Sequence, residues 1–199
     1  MHATLVRYLQ RTRARACLAI LAVLGLMLAA CASPRPPRSA SPEPSRAEET
    51  FQRALASLST DPRAAEQLLR ESLEHDRFHA GAQNNLGVLL LQRGDLAQAA
   101  TAFDQAATLM PSNPVPRLNL GVVYERAGRL DDAHQAFKAA VEVAPDHFES
   151  VQALTRLDVA LLRIDLATTD RLAAIALRGT TPAWRTWARE KLALHGRKR

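Results

Sequence analysis

The chain has 199 residues and is 47% hydrophobic but only 5% aromatic. This length suits one domain with accessory segments, and the shortage of aromatic residues argues against a β-sandwich, whose strands favour β-branched and aromatic side chains. The formal net charge of +6 does not indicate nucleic-acid binding, because four arginines lie within positions 1–16 and the rest of the chain has 22 basic against 20 acidic residues.

Residues 1–30 have the organisation of a secretory signal peptide. A basic segment, residues 1–16, contains no acidic residue and precedes an uninterrupted apolar run, CLAILAVLGLMLAA, at positions 17–30. That run is short for a membrane span, which needs about 20 residues. The run ends in Leu28-Ala29-Ala30-Cys31, which resembles the bacterial lipobox, where the chain is cut before the cysteine and the cysteine takes lipid. The alternative is an ordinary signal peptide that happens to end near a cysteine.

The lipobox resemblance implies a lipid-anchored protein of the cell envelope. We expect residues 1–30 to be removed and Cys31 to be lipidated, with the mature chain facing the periplasm. Because Ala32 rather than Asp follows the cysteine, the outer membrane is favoured in a Gram-negative source. Cys17 would leave with the signal peptide, so no internal disulfide is expected. Residues 31–45 hold five prolines and four serines and are predicted to form a linker.

Residues 46–79 have the pattern of a helical hairpin. Phe51, Leu55 and Leu58 form one apolar face of a first helix. Asp61-Pro62 is a start signal for a second helix, with an N-cap acceptor followed by proline at the first helical position. We predict a degenerate repeat here, because the segment lacks the marks that recur in the next two.

Residues 80–113 and 114–147 are two copies of one pattern, related by a constant offset. A Leu-Gly pair, a second Gly, an Ala, a Phe, another Ala and a Pro recur at matching places. A fixed period of this length predicts stacked helical hairpins. The matching marks are Leu86-Gly87 with Leu120-Gly121, Gly94 with Gly128, Ala99 with Ala133, Phe103 with Phe137, Ala106 with Ala140, and Pro111 with Pro145.

These marks resemble the tetratricopeptide repeat, or TPR, whose pattern places Leu-Gly, Tyr, Ala, Phe, Ala and Pro at set offsets within a period of about 34 residues. The Tyr position holds Leu90 and Tyr124, and the Trp position that opens the family's pattern holds Gln83 and Arg117. The residues also make sense without the family. A glycine inside a helix costs roughly 1 kcal/mol against alanine, and a close contact between two helices would explain why it is kept.

The remaining residues continue the helical pattern without the family's marks. Asp146 and Glu149 are predicted to form a capping box, Asp170 to cap a further helix, and Thr181-Pro182 to start a final helix ending near His195. The predicted fold is all-α, a TPR-like helical-hairpin solenoid. Its parts are two consensus-like repeats at 80–113 and 114–147, degenerate repeats at 46–79 and 148–181, and a capping helix with a basic tail at 182–199.

The resemblance to the TPR implies a groove, lined by the first helix of each pair, that binds an extended segment or a helix of a partner protein. Asn85 and Asn119 both precede the Leu-Gly pair, and their amides either bind a partner's backbone or bond within the array. Gln152 and Arg156 are candidate extensions. No lysine stands at these positions, so an internal segment is favoured over a C-terminal carboxylate. Carried onto this chain, the groove positions are Asn84, Asn85, Val88, Gln92, Leu118, Asn119, Val122, Glu125 and Arg126.

No catalytic, cofactor or metal motif is found, so we expect neither enzyme activity nor a cofactor. His75 and His79 lie four positions apart, but without a third ligand they are interpreted as helix-end histidines. Trp184 and Trp187 are expected to face the core, with an aromatic docking site as the alternative.

The sequence therefore predicts a lipid-anchored module that binds protein and no nucleic acid. Small TPR lipoproteins resemble two functional groups. One assists assembly of an outer-membrane machine such as a type IV pilus or its secretin, and the other is a scaffold for peptidoglycan-processing enzymes. An enzyme with an unrecognised site is the least favoured class.

Overall fold

The computed structural model describes residues 45–196; the predictions for the signal peptide, for lipidation of Cys31 and for the linker lie outside the described residues. Within this range the chain forms nine helices and no strand. None of them combines the length and the apolar character needed to cross a membrane. The helices are α1 Arg46–Ser57, α2 Pro62–His75, α3 Ala80–Arg93, α4 Leu96–Leu109, α5 Pro114–Arg126, α6 Leu130–Val143, α7 Phe148–Ala160, α8 Leu166–Arg178 and α9 Pro182–Gly196.

The helices pack in chain order as successive hairpins. α1 packs on α2, α3 on α4 and α5 on α6, and each hairpin packs on the next. The α7–α8 hairpin follows, and α9 packs against α8. Contacts between neighbours along a quasi-linear array define a solenoid, whose core is distributed along its length. The predicted all-α helical-hairpin solenoid is therefore confirmed.

The repeated glycines lie where a side chain would strike a buried phenylalanine. A Cβ built on Gly87 would come within 2.7 Å of Cε1 of Phe103, and one on Gly121 would collide with the ring of Phe137. Both rings are completely buried. Missing side chains at the two glycines thus let the first and second helices of each hairpin approach, and the predicted close contact is confirmed.

A left-handed turn joins the two helices of three hairpins, at the same position of each repeat. Gly94 has a φ of 92° and Gly128 a φ of 73°, values that glycine adopts without steric cost. Leu162, one repeat after Gly128, has a φ of 57°. The turn geometry therefore persists in the hairpin whose sequence marks have disappeared. The same backbone bond closes all three turns, from Asp95 N to Leu90 O at 2.9 Å, Arg129 N to Tyr124 O at 2.8 Å, and Arg163 N to Asp158 O at 2.8 Å.

One residue of each repeat caps the next first helix. His79, Asn113, His147 and Thr181 are each separated by one repeat, and the side chain of each accepts a hydrogen bond from a backbone N–H at the helix start. Nδ1 of His79, for example, accepts from the N–H of Ala82 at 3.1 Å. His79 is thus a helix cap.

The starts of α7 and α8 differ from the sequence-based predictions. His147 rather than Asp146 caps α7, because Asp146 lies one residue before the cap position. α8 begins at Leu166 and is capped by Asp165, whose carboxylate accepts from the N–H of Thr168 at 2.7 Å. Asp170 lies inside α8, so the prediction that it caps this helix is wrong.

Candidate protein-binding site on the first helices

We use the term first-helix face for the side chains of α3 and α5 that occupy the predicted groove positions. Gln92 and Arg126 are exposed and the others are half-buried. Every predicted groove residue is therefore reachable from solvent. The members of the first-helix face are Asn84, Asn85, Val88, Gln92, Leu118, Asn119, Val122, Glu125 and Arg126.

Two polar members of the first-helix face tie α5 to α3. The side-chain amide of Asn119 donates to Oδ1 of Asn84 at 3.3 Å, and Nη1 of Arg126 donates to the carbonyl oxygen of Leu91 at 3.2 Å. Of the two interpretations of these amides, Asn119 therefore follows the second, a hydrogen bond within the helical array. Asn85 makes no side-chain hydrogen bond to the residues that the structure describes, so its amide remains available to a partner.

A bidentate ion pair continues the row from α5 to α7. Nη1 and Nη2 of Arg156 donate to the two carboxylate oxygens of Glu125 at 2.7 and 2.6 Å. Hydrogen bonding to Glu125 raises the pKa of the Arg156 guanidinium. Because the two charges compensate each other, this part of the surface presents a flat polar group with little net charge.

The apolar members of the first-helix face are Val88, Leu118 and Val122. All three are half-buried and pack on the core from one side. Together with the free amide of Asn85 they form a mixed apolar and neutral-polar strip. Such a strip suits an uncharged or apolar segment better than a charged chain end.

Gln152, a candidate extension on α7, is not part of this surface. Its side chain is only 3% exposed and exchanges hydrogen bonds with the hydroxyl of Thr180 at 3.1 and 3.2 Å. The amide therefore fixes the loop before α9 against α7. Arg156 remains the candidate on this helix, since its side chain is 42% exposed.

Trp184 and Trp187 on α9 are half-buried, with their ring centroids 5.3 Å apart and their planes at 86°. On one side they pack against the buried cluster that contains Val151, Ile175 and Ala188, as predicted. On the other side they line a slot of about 280 Å³ together with Arg156, Thr181 and Ala183. The core interpretation therefore accounts for one side of each ring. Trp187 lies a whole number of repeats from Asn85 and Asn119 and so occupies the same repeat position.

Two furrows of about 300 Å³ each lie between successive second helices, one between α2 and α4 and the other between α4 and α6. They are equivalent because the residues that line them occupy the same repeat positions. Gln83 lines one and Arg117 the other, and both stand where the TPR pattern has a tryptophan. No group of three His, Cys, Asp or Glu residues able to hold a metal ion occurs within residues 45–196.

Comparison with known proteins finds similarity to one repeat family. Two family models described as tetratricopeptide repeat match residues 90–157 and 59–114. Tetratricopeptide repeat protein 8 of Mus musculus is 30% identical over 97 residues, which are 49% of this chain and 19% of that protein. The Homo sapiens protein is 29% identical over 97 residues, or 18% of its length. The match thus spans about a fifth of each curated relative.

Solved structures agree on the fold. The first TPR of Spaghetti (RPAP3), bound to the HSP90 peptide SRMEEVD, has a TM-score of 0.55 at 16% identity, over 58% of this chain and 93% of that chain. A crystal structure of MamA has a TM-score of 0.57 at 18% identity, over 78% and 83%. MamA 41-end from Desulfovibrio magneticus RS-1 has a TM-score of 0.57 at 19% identity, over 64% and 72%.

The fold and the matches define a helical-repeat solenoid. More particularly, two family models described as tetratricopeptide repeat match this solenoid within residues 59–157. The fold is one that supports protein–protein interaction.

Proposed function

We propose that the protein binds an internal segment of a partner protein on the first-helix face. The observation that carries this proposal is the strip of Asn85, Val88, Leu118 and Val122, which is accessible but only half-exposed on two adjacent first helices. Apolar side chains in a row gain stability when a partner covers them, and a free amide fixes the register of the partner's backbone. The neutralised pair of Glu125 and Arg156 favours an uncharged ligand. We expect no enzyme activity of the protein itself.

We also propose that this module is held at a membrane through lipid on Cys31, facing the periplasm and favoured at the outer membrane. The lipobox-like sequence Leu28-Ala29-Ala30-Cys31 and the proline- and serine-rich residues 31–45 support the proposal. In this setting the module assists assembly of an outer-membrane machine such as a type IV pilus or secretin. The alternative is a scaffold that brings peptidoglycan-processing enzymes together.

Crosslinking followed by capture from membranes identifies the partner. The test variant is Asn85→Glu with Gln92→Glu, because neither side chain hydrogen-bonds to another described residue and both added charges lie on the first-helix face. The matched control is Gln98→Glu with Gln105→Glu on the exposed side of α4, where the same charge is added to the furrow lined by Gln83. We expect the first variant to lose the partner and the control to keep it, with equal helix content by circular dichroism. The reverse pattern would move the site to the second helices.

Two further measurements test the membrane anchor and distinguish the two proposed roles. Cys31→Ser should release the protein from membranes or block its processing, and lipid labelling of this variant at the wild-type level would contradict the anchor. Deletion of the chain distinguishes the two roles. Loss of secretin multimers supports the assembly role, whereas misregulated cell-wall hydrolysis with intact multimers supports the scaffold.

A further inference from the structure

The slot beside Trp184 and Trp187 lies at the end of the row that forms the first-helix face. Trp187 occupies the repeat position of Asn85 and Asn119, respectively three and two repeats further along the chain. Arg156 occupies the repeat position of Val88 and Val122. Since Arg156 also pairs with Glu125 of α5, the slot continues directly from the first-helix face.

The walls of the slot are aromatic and nearly uncharged. The core cluster supports both indole rings from behind, and their edge-to-face contact fixes them relative to each other. The bidentate bond to Glu125 holds the Arg156 guanidinium in place and compensates its charge. An ionised ligand group would therefore lose its hydration without gaining a free counter-charge.

The slot offers donors rather than acceptors. Neither indole N–H of Trp184 and Trp187 has a hydrogen-bond partner among residues 45–196, and a tryptophan N–H generally finds an acceptor when it becomes buried. The Thr181 hydroxyl already accepts the N–H of Trp184 as a helix cap. A ligand that covers the rings must therefore bring carbonyl oxygens and flat apolar surface, and few N–H groups of its own.

We propose that this slot binds a proline-containing segment of the partner in the polyproline II conformation. Proline supplies a flat apolar ring and has no backbone N–H, and a polyproline II segment leaves its carbonyl oxygens free to accept from the two indoles. Such segments are already extended before binding, and they dock on grooves lined by aromatic rings. The inference rests on the proposed function, because the segment would continue from the first-helix face into the slot.

The test uses the full-length chain in detergent and fluorescein-labelled decaproline as the probe. The chain has only two tryptophans, and both line the slot, so indole emission reports on this site alone. We expect decaproline to change the emission in a saturable way and to gain anisotropy, whereas a labelled Gly-Ser peptide of equal length does neither. No binding of decaproline, or equal binding of both peptides, overturns the inference.

Two variants connect the binding to the slot. Trp187→Ala should weaken decaproline binding by about thirtyfold, as expected for an aromatic anchor. Ala183→Glu places a carboxylate at the exposed edge of the slot without touching the core, so it should weaken binding even if Trp187→Ala perturbs folding. Unchanged affinity in Ala183→Glu overturns the inference, as does a change in the oligomeric state of Trp187→Ala, which would make the slot an interface between copies.

Failure of this inference is distinguishable from failure of the proposed function. If decaproline does not bind but capture of the partner still depends on Asn85 and Gln92, the proposed polyproline site is rejected and the proposed binding on the first-helix face is kept. The opposite result is that decaproline binds, Ala183→Glu abolishes this binding, and the Asn85→Glu, Gln92→Glu variant still captures the partner. In that case the polyproline site is kept and binding on the first-helix face is rejected.

Discussion

Asp158 and Arg171 form an ion pair of 2.6 Å at the two repeat positions that Tyr124 and Phe137 occupy one repeat earlier. The Asp158 side chain is only 4% exposed, and Nε2 of His134 lies 2.9 Å from its other carboxylate oxygen. Thr155 stands where the preceding repeat has Gly121. The degenerate hairpin has thus replaced a glycine–phenylalanine contact by a buried polar cluster, and one atom of that cluster, Nε of Arg171, is buried without a partner.

Removal of one member of this pair should be costly. Arg171→Leu leaves the Asp158 carboxylate buried without its main counter-charge and should lower the free energy of unfolding by about 3 kcal/mol. The matched control is Arg163→Leu, whose partner Asp131 is 86% exposed, and it should cost less than about 1 kcal/mol. Urea unfolding measures both values. Equal values for the two variants would mean that the buried pair contributes no more than a surface pair.

If the repeat pattern is restored in α7 and α8, the hairpin should be stable without the Asp158–Arg171 ion pair. The triple variant Thr155→Gly, Asp158→Tyr, Arg171→Phe recreates the three residue types of the preceding repeat, and replacement of a buried ion pair by packed apolar groups is often neutral or stabilising. We expect it to unfold at or above the wild-type urea midpoint. A midpoint as low as that of Arg171→Leu would show that α8 does not pack on α7 as α6 packs on α5.

Leu162→Gly should stabilise the protein. Leu162 has a φ of 57° and is 79% exposed, so glycine relieves left-handed strain and removes no core contact. The relief of about 1–2 kcal/mol exceeds the entropic cost of glycine, about 0.5–1 kcal/mol. The control, Leu177→Gly, is also 79% exposed but helical, and it should destabilise by about 1 kcal/mol. Thermal melts that show both variants destabilised to the same extent would refute the turn assignment.

The contact between Gly121 and Phe137 predicts a position-specific effect of leucine. Gly121→Leu forces the buried Phe137 ring to move and should cost about 3 kcal/mol, at the upper end of overpacking effects. Ala97→Leu adds the same side-chain type at an exposed position of α4 and should change stability by less than about 0.5 kcal/mol. Differential scanning calorimetry compares them, and coincident melting temperatures would contradict the packing of this hairpin.

The cap of α8 predicts a pH dependence. The backbone N–H of Thr168 donates to the Asp165 carboxylate and lowers the pKa of this group from its ordinary value of 3.8. Because the pKa is lower in the folded chain, the stabilisation is fully present above pH 3.8 and is lost as the pH falls through the lowered value. Asp165→Ala should therefore cost about 1 kcal/mol at neutral pH and less in acid. Asp165→Asn keeps an acceptor that does not titrate. A deficit of Asp165→Ala that is unchanged in acid would exclude an ionised cap.

The repeat period was sufficient to predict the hairpins, the close contacts of Gly87 and Gly121, and the turns at Gly94 and Gly128. The turn at Leu162 could not be predicted, because leucine rarely adopts a positive φ and the surrounding structure imposes it. The histidine caps were missed for a related reason, since histidine is not among the residue types preferred at this position.

The repeat period predicted which side chains share the first-helix face, but it did not predict their hydrogen bonds. The repeat places Asn119 and Arg126 on the first-helix face, whereas their acceptors on α3 follow only from how α3 and α5 stack. Burial of Gln152 likewise depends on Thr180, which is distant in the chain and which no local pattern connects to it. The exposed side of the Trp184–Trp187 pair depends on Arg156 in the same way.

Because the helix caps recur once per repeat, one whole repeat can be removed or duplicated without loss of a cap. His79 and Asn113 perform the same task at the starts of α3 and α5, so removal of residues 80–113 would join His79 to Pro114 and present α5 with an equivalent cap. An insertion or deletion of one whole repeat at this boundary therefore keeps every junction that a shorter change would break. Lengthening the array by duplication, and with it the surface offered to a partner, is an accessible route for this protein to evolve.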